Sequence, residues 1–236
     1  MKRATPPETQ NRLLAALPSR DYRRLARHLT SVSLPLRQAL YEPGAPIRHV
    51  YFPESGVISL LTVVGLNKAA EVAVVGCEGV IGASTTLGVN TSHVRALVQG
   101  EGTALRIEAS LLRKEFAENG TWFRELYRFS NALMGQAAQT AACNRFHTVE
   151  ARLARWLLAT RDRVNSRHLE LTQEFLSIML GVRRVGITGA AMQLQKQKLI
   201  TYSRGHIQIL DPARLEAAAC SCYGVVKDIY RLSYRK

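Results

Sequence analysis

The sequence is short of acidic residues. Its 236 residues hold 18 Asp and Glu against 32 Lys and Arg, a formal net charge of +14. Such an imbalance selects no fold, but it favours a polyanionic partner such as nucleic acid or an acidic membrane surface. Cysteine is also scarce, with four residues at 77, 143, 220 and 222, too few and too unevenly spread for a disulfide framework. No apolar run approaches the roughly 18 residues that would cross a bilayer. The stretch Met1-Lys2-Arg3-Ala4-Thr5-Pro6-Pro7 is basic with no apolar segment behind it, so no secretory signal is expected. Internal repeats and low-complexity tracts are absent. So are the Gly-x-Ser-x-Gly elbow, the phosphate-cradling loop ending in Gly-Lys-Ser/Thr, and His-Glu-x-x-His. An enzyme is therefore not expected, a cytoplasmic location is, and no membrane partner is.

What remains supports a packed chain. Hydrophobic residues make up 47% and charged residues 21%, enough for one large domain or two smaller ones of roughly 100–200 residues each. The charge is uneven. Residues 1–150 carry 17 basic and 12 acidic side chains, whereas 151–236 carry 15 and 6. The surface facing a polyanion is thus expected in the C-terminal part; a generally basic, solubilising surface is the alternative.

Three textures follow one another. Residues 9–30 show helical spacing through Leu13, Leu14, Leu17, Leu25 and Leu29, with Pro18 starting a second helix. From about 32 to 107, short β-prone runs such as His49-Val50-Tyr51-Phe52 and Glu71-Val72-Ala73-Val74-Val75 alternate with glycines, which predicts a compact all-β sandwich or barrel. Residues 109–164 then read as helix, a short one over 108–118 stopped at Asn119-Gly120 and a long one from Thr121. Along the long one, Phe123, Leu126, Ser130, Leu133, Ala137, Thr140, Asn144, His147, Ala151 and Ala154 fall at steps of three and four. That heptad-like seam predicts pairing with a second copy or a bridge between domains. Two shorter helices broken near Gly135 or Asn144 are the alternative.

The C-terminal part carries the sharpest motif. Thr172 is suited to cap a helix in which Phe175, Leu176 and Met179 form one apolar face. Gly181 supplies a bend, and a second helix turns Ile187, Ala190, Ala191 and Leu194 inward. This is helix-turn-helix spacing, whose second helix enters the major groove. Leu199-Ile200-Thr201-Tyr202 and His206-Ile207-Gln208-Ile209-Leu210 follow as a hairpin around Arg204-Gly205, and Asp211-Pro212 starts a last helix. A helix-turn-helix followed directly by a β-wing is a winged helix. On its second helix Arg183, Arg184, Thr188, Gln195 and Met192 are expected to face out, with both arginines at the end nearest the base edges. Thr172 and Gln173 would meet phosphate, as would Arg204 on the wing. A solvated surface charge is the alternative for any one arginine.

In this order the chain resembles the transcription regulators of the Crp/Fnr (cyclic-AMP receptor protein) family. The likeness covers roughly residues 10–225 and rests on Tyr41-Glu42-Pro43-Gly44, on Val50-Tyr51-Phe52-Pro53-Glu54-Ser55-Gly56-Val57-Ile58-Ser59 and on residues 171–200. It implies an α+β fold: an eight-stranded β-roll of the cyclic-nucleotide-binding jelly-roll type over 1–120, a long dimerisation helix over 121–164, and a winged helix-turn-helix over 165–236. It also implies a homodimer on double-stranded DNA with a two-fold symmetric operator, joined through Phe123, Leu126, Leu133, Ala137 and Thr140. RNA polymerase is a further expected partner; the small-molecule effector and any cofactor stay unassigned.

Two departures from the family pattern shape the expectation. The cyclic-nucleotide cassette pairs Gly with Glu for the ribose and supplies Arg for the phosphate. Here Gly82 is followed by Ala83, the Arg position falls near Ser92-His93, and Arg95 comes two or three residues late. Gly82, Ala83, His93 and Arg95 are the candidate effector residues, but burying a charged nucleotide without those partners is costly, so cyclic AMP is not expected to bind. In the recognition helix, the positions where the family commonly places Glu-x-x-x-Arg or Glu-x-x-Ser-Arg read Val185, Thr188 and Gly189, so the familiar operator does not carry over.

No cysteine precedes Cys77, which excludes an iron–sulfur cluster on N-terminal cysteines. Cys220-x-Cys222 is poor zinc-knuckle spacing, Cys77 and Cys143 read as ordinary small residues, and His93 and His147 as isolated histidines. No metal site is expected. Two functions from different classes remain: a dimeric DNA-binding transcription regulator, or a β-roll ligand-binding or protein-interaction module whose winged helix docks protein.

Overall fold

The computed structural model describes residues 9–65, 68–117 and 120–234, and these fall into two compact units, one drawn from residues 9–60 and 74–131 and the other from 61–73 and 132–234. The first opens with α1 (Arg12–Ala15) and α2 (Ser19–Ala26). Asn11 caps α1, its Oδ1 accepting from the Leu14 amide at 3.2 Å. Its Nδ2 donates to the carbonyls of Pro53 and Gly79 at 2.9 and 2.8 Å, and the side chain is fully buried. One polar residue thus ends the entering chain and ties it to two loops of the β-roll.

The strands are β1 (Thr30–Leu34), β2 (Ala39–Tyr41), β3 (His49–Pro53), β4 (Val57–Val63), β5 (Ala69–Val75), β6 (Arg95–Gly100) and β7 (Gly102–Glu108). They form two sheets, ordered β1-β7-β3 and β2-β6-β4-β5. β7 pairs antiparallel with both neighbours, placing Ala104 opposite Val32 on one side and Pro53 on the other. Alternation turns Val50 and Phe52 of β3 into the core, and β7 contributes Ala104 and Ile107, three positions apart and so not on one alternating face. The roll has seven strands among the described residues rather than eight; Pro46–Thr91 and Tyr51–Ile81 add isolated bridges.

Gly56 sits where the chain must pass close to itself. Its φ is +79°, and a Cβ there would lie 2.6 Å from the Gly100 carbonyl oxygen, so glycine is required on both counts.

Helix α3 (Ala109–Ala117) is followed by α4 (Gly120–Phe146) and α5 (Val149–Val164). The expected stop at Asn119-Gly120 falls partly on residues 118–119, outside the described residues. The run 121–164 is not one helix. The chain leaves helical geometry at Thr148 (φ −63°, ψ 154°), whose side chain accepts from the Ala151 amide, so a second helix starts there. The break lies a few residues beyond Asn144.

The second unit is built around α5, with Leu153, Leu157 and Leu158 fully buried. The tip of the β4–β5 hairpin belongs to this unit, and Glu71 in it accepts from the Trp156 indole at 3.0 Å. A short strand β8 (His168–Glu170) leads to α6 (Gln173–Leu180), α7 (Arg184–Lys196), β9 (Ile200–Ser203), β10 (His206–Ile209), α8 (Pro212–Ala218) and α9 (Cys222–Ser233).

Asn11→Ala would leave two buried carbonyls and an amide without their partner, each costing about 1–3 kcal/mol. Chemical denaturation should therefore show a loss of about 3 kcal/mol; a loss under about 1 kcal/mol would mean that water replaces the amide.

Candidate nucleic-acid interface

Helices α6 and α7 meet at 105°, within the range of a helix-turn-helix. The bend is made by Gly181 (φ +61°), whose amide donates to the Ile178 carbonyl at 3.2 Å. At the start of α6 the Thr172 hydroxyl accepts from the Phe175 amide at 3.1 Å, which leaves its own O–H available as a donor. Ile187, Ala190, Ala191 and Leu194 are buried on the inner side of α7. Intrinsic propensity is poor here, because Gly186 and Gly189 each cost an exposed helix about 1 kcal/mol relative to Ala. Packing of the inner face keeps α7 helical.

The outer face is open. Arg183 occupies the N-cap position and Arg184 the first turn, both exposed. Behind them Val185 is 74% and Met192 61% exposed, and Gly189 lies between them with nothing within 4 Å of where a Cβ would stand. Val185, Gly189, Met192 and Lys196 fall at helical steps of four, three and four, so they line one stripe. A stripe with bare backbone, two apolar side chains and cations at both ends can approach base edges, contact thymine methyls and pair with phosphate.

Three expected contacts change on inspection. The Gln173 side-chain oxygen already accepts from the Thr188 hydroxyl at 3.0 Å and from Arg184 Nε at 3.4 Å. That oxygen thus orients α7 residues, and only the Gln173 amide N–H groups are left to donate. Thr188 is half-buried and spends its hydroxyl in that bond or on the Arg184 carbonyl at 3.2 Å. Gln195 does not face out, because its Oε1 accepts from the Tyr202 amide at 2.7 Å and joins α7 to the wing. Val185 was read only as a missing carboxylate, although its apolar side chain at an outward position is itself a signal.

The wing is β9 and β10, with β8 added in the order β8-β10-β9. Ser203 pairs with His206 around a two-residue turn in which Arg204 (φ +48°) and Gly205 (φ +86°) both take left-handed geometry. That turn matches strand twist and leaves Arg204 exposed at the tip. Tyr202 donates to the Leu171 carbonyl at 2.9 Å. Burial raises its pKa while the Arg184 charge works the other way.

The residues expected at an effector site have separate engagements. Gly82 has φ +91°, and a Cβ there would be 2.6 Å from the Tyr41 hydroxyl. That hydroxyl donates to the His49 carbonyl, and burial holds its pKa far above the usual value, with Tyr51 adding to the rise. Ala83 lines a small apolar cavity with Leu13, Phe52, Val80 and Trp122. His93 is exposed. Arg95 is paired with Glu42 at 2.8 Å near the surface.

Along α4 the residues expected at a dimer seam differ in exposure. Leu126 and Thr140 are each 7% exposed. Leu126 faces the apolar cavity of its own β-roll, and α9 covers the inner face near Thr140, where Tyr230 donates to Gln136 Oε1 at 3.0 Å. Neither is left for a partner. Leu133 and Ala137 are partly covered, while Phe123, Tyr127 and Met134 stand out, the last two 63% and 67% exposed.

The fold also assembles a group that the sequence spacing gave no reason to expect. Cys143 and His147 at the end of α4 meet Cys220 and Cys222 at the start of α9, with all four ligand atoms within 4.8 Å of one another. The Cys143–Cys220 hydrogen bond pulls the first thiol below the usual range and pushes the second above it, and Arg155 favours the thiolate at both.

Comparison with known proteins agrees with this geometry. Residues 151–218 match the Crp-like helix-turn-helix domain. No curated protein sequence matches the chain. Among solved structures, FixK2 from Bradyrhizobium japonicum superposes with a TM-score of 0.68 at 17% identity, over 82% of this chain and 98% of that one. The c-di-GMP-responsive global regulator CLP of Xanthomonas campestris gives 0.68 at 15%, over 82% and 100%. TTHA1359, a Crp/Fnr-family transcriptional regulator from Thermus thermophilus, gives 0.66 at 19%, over 80% and 98%. Residues 151–218 thus match the Crp-like helix-turn-helix domain, and about four fifths of the chain shares the fold of these Crp/Fnr-type regulators.

Proposed function

We propose that this protein is a sequence-specific, DNA-binding transcription regulator that works as a homodimer and whose β-roll senses a signal other than cyclic AMP. The observation that carries the reading is the outer stripe of α7, with Val185, Gly189 and Met192 exposed between Arg183–Arg184 and Lys196. In the helix-turn-helix docking mode that end of α7 lies in the major groove, while the helix before it crosses the backbone. Thr172 and Arg204 then take phosphate-contacting roles, and Arg183 and Arg184 reach guanine or phosphate. RNA polymerase is the natural second partner of such a regulator on a promoter.

Dimerisation would use the exposed stripe of α4, with Phe123, Tyr127 and Met134 facing their counterparts and Leu133 and Ala137 at its flank. Two recognition helices would then address successive major grooves ~34–36 Å apart. Against a cyclic nucleotide stand the commitment of Arg95 to Glu42 and the methyl group of Ala83 where the family cassette has a carboxylate for the ribose. The tip of the β4–β5 hairpin, with its Glu71–Trp156 bond, is the element that would pass the signal on to α5.

Three measurements test this reading. On a duplex selected from a randomised library, Arg184→Ala should cost about 1–3 kcal/mol and relax preference at one base pair. Equal weakening on all sequences, with the salt slope reduced by about 1, would make it a phosphate contact instead. Gly189→Ala should raise thermal stability by up to about 1 kcal/mol while lowering operator affinity, because the added methyl fits the protein but obstructs close approach to DNA. Unchanged affinity would move the groove contact off this stripe. Met134→Glu should yield monomers by sedimentation and lose operator binding at the same time; a monomer with full operator affinity would refute the dimeric mechanism.

A further inference from the structure

Four sulfur and nitrogen donors converge beside α5 from segments more than 70 residues apart. The Cys143 and Cys220 sulfurs are 3.4 Å apart, and Cys222 Sγ lies 3.5 Å from His147 Nδ1. Bonds of about 2.3 Å to sulfur and 2.0–2.1 Å to nitrogen give a tetrahedral zinc site edges of about 3.6–3.8 Å. The two closest pairs are already near that value, and the widest separation, within 4.8 Å, has to shrink by about 1 Å at most for the set to close on one ion. Cys143 and His147 stand one helical turn apart at the end of α4, and Cys220 and Cys222 flank Ser221, the N-cap of α9. The single intervening residue argued against a knuckle of two Cys-x-x-Cys pairs. It does not argue against a site whose other half comes from a helix.

The surroundings suit an anionic metal–thiolate centre. Cys143, Cys220 and Cys222 are buried, with Ala151 packed against them. Gln139 Nε2 donates to Cys222 Sγ at 3.0 Å, the type of outer hydrogen bond that steadies a metal-bound thiolate. On α5, Arg152 and Arg155 are themselves buried, and the Nε of each has no hydrogen-bond partner among the described residues. Both are near enough for their charges to act on Cys143. Buried cations without a counter-charge are strongly destabilising. Three thiolates and a neutral imidazole around a divalent cation carry a net single negative charge, which offsets part of that cost.

We propose that Cys143, His147, Cys220 and Cys222 form a tetrahedral site for a single thiolate-preferring divalent cation of the zinc type. The ion fastens α9 to the end of α4 next to the break at Thr148. Four ligand atoms this close enclose one ion, whereas an iron–sulfur cluster interposes sulfides between several irons and needs its ligands farther apart. The ion has no open coordination position, so its role is to hold the fold and not to catalyse. Losing it would free the C-terminal helix and the angle at which α5 leaves α4.

The test uses the full chain, purified anaerobically under reducing conditions, and needs no DNA, so it stands or falls separately from the regulator reading. Elemental analysis should find about one zinc per chain. After chelation, cobalt(II) should restore thiolate-to-metal charge-transfer bands and the intense visible bands of a tetrahedral ion. Gln139→Leu should weaken cobalt binding about 10–100-fold while keeping the four ligands. His147→Ala, at a half-buried position, should weaken it by more than about 100-fold, beyond the effect of an outer partner, with circular dichroism checking that the chain is still folded. A folded, reduced chain that holds no metal and gives no tetrahedral cobalt spectrum would overturn the proposal. So would iron with acid-labile sulfide in place of zinc.

Discussion

Helix α5 is buried around most of its circumference, and it carries two arginines into that interior along with its leucines. Much of the second unit follows from this constraint. Arg152 donates to the Leu180 carbonyl at the C-terminal end of α6, where the helix dipole is negative and a cation is welcome. The turn of the helix-turn-helix is thereby anchored to the helix that supports it. On another side of α5, Trp156 reaches Glu71 in the β-hairpin, and near its start lie the cysteines. One helix thus touches the elements that would read DNA, convey a signal and hold a metal.

The proposed DNA-facing surface is defined by what the protein leaves unused. Gln173, Thr188 and Gln195 are polar and lie on or beside the recognition helix, yet the fold spends them on its own joints. The stripe left open is poorer in hydrogen-bonding side chains and richer in bare backbone and apolar surface. Such a stripe favours methyl contacts and close approach over a direct donor–acceptor code, with arginines at one end to add charge. The absence of an outward carboxylate on α7 fits the same picture, because nothing there accepts from cytosine N4.

Several elements were legible in the sequence because their signals are local. The Thr172 cap, the Gly181 bend, the Ile187–Ala191–Leu194 face, the Arg204-Gly205 turn and the Asp211-Pro212 start each depend on residues within a few positions of one another. The break between α4 and α5 was also written locally, in Thr148 ahead of Glu150, but a continuing pattern of threes and fours masked it. Asn11 gave no signal, because two of its three bonds go to carbonyls 42 and 68 residues away.

Composition, charge and periodicity by themselves pointed to a glycine-punctuated β-domain, helices and a basic winged helix, since each of these depends on short-range sterics and on which face of an element is apolar; the β-roll came from the family resemblance. They could not say which of several apolar-looking faces of α4 is spent inside the protomer. Leu126 and Thr140 share the same step pattern as Phe123, and only packing against the roll and α9 separates them. Nor could spacing reveal that Cys143 and His147 meet Cys220 and Cys222. Distances along a chain become distances in space only once helices have packed, and that step the tertiary structure alone decides.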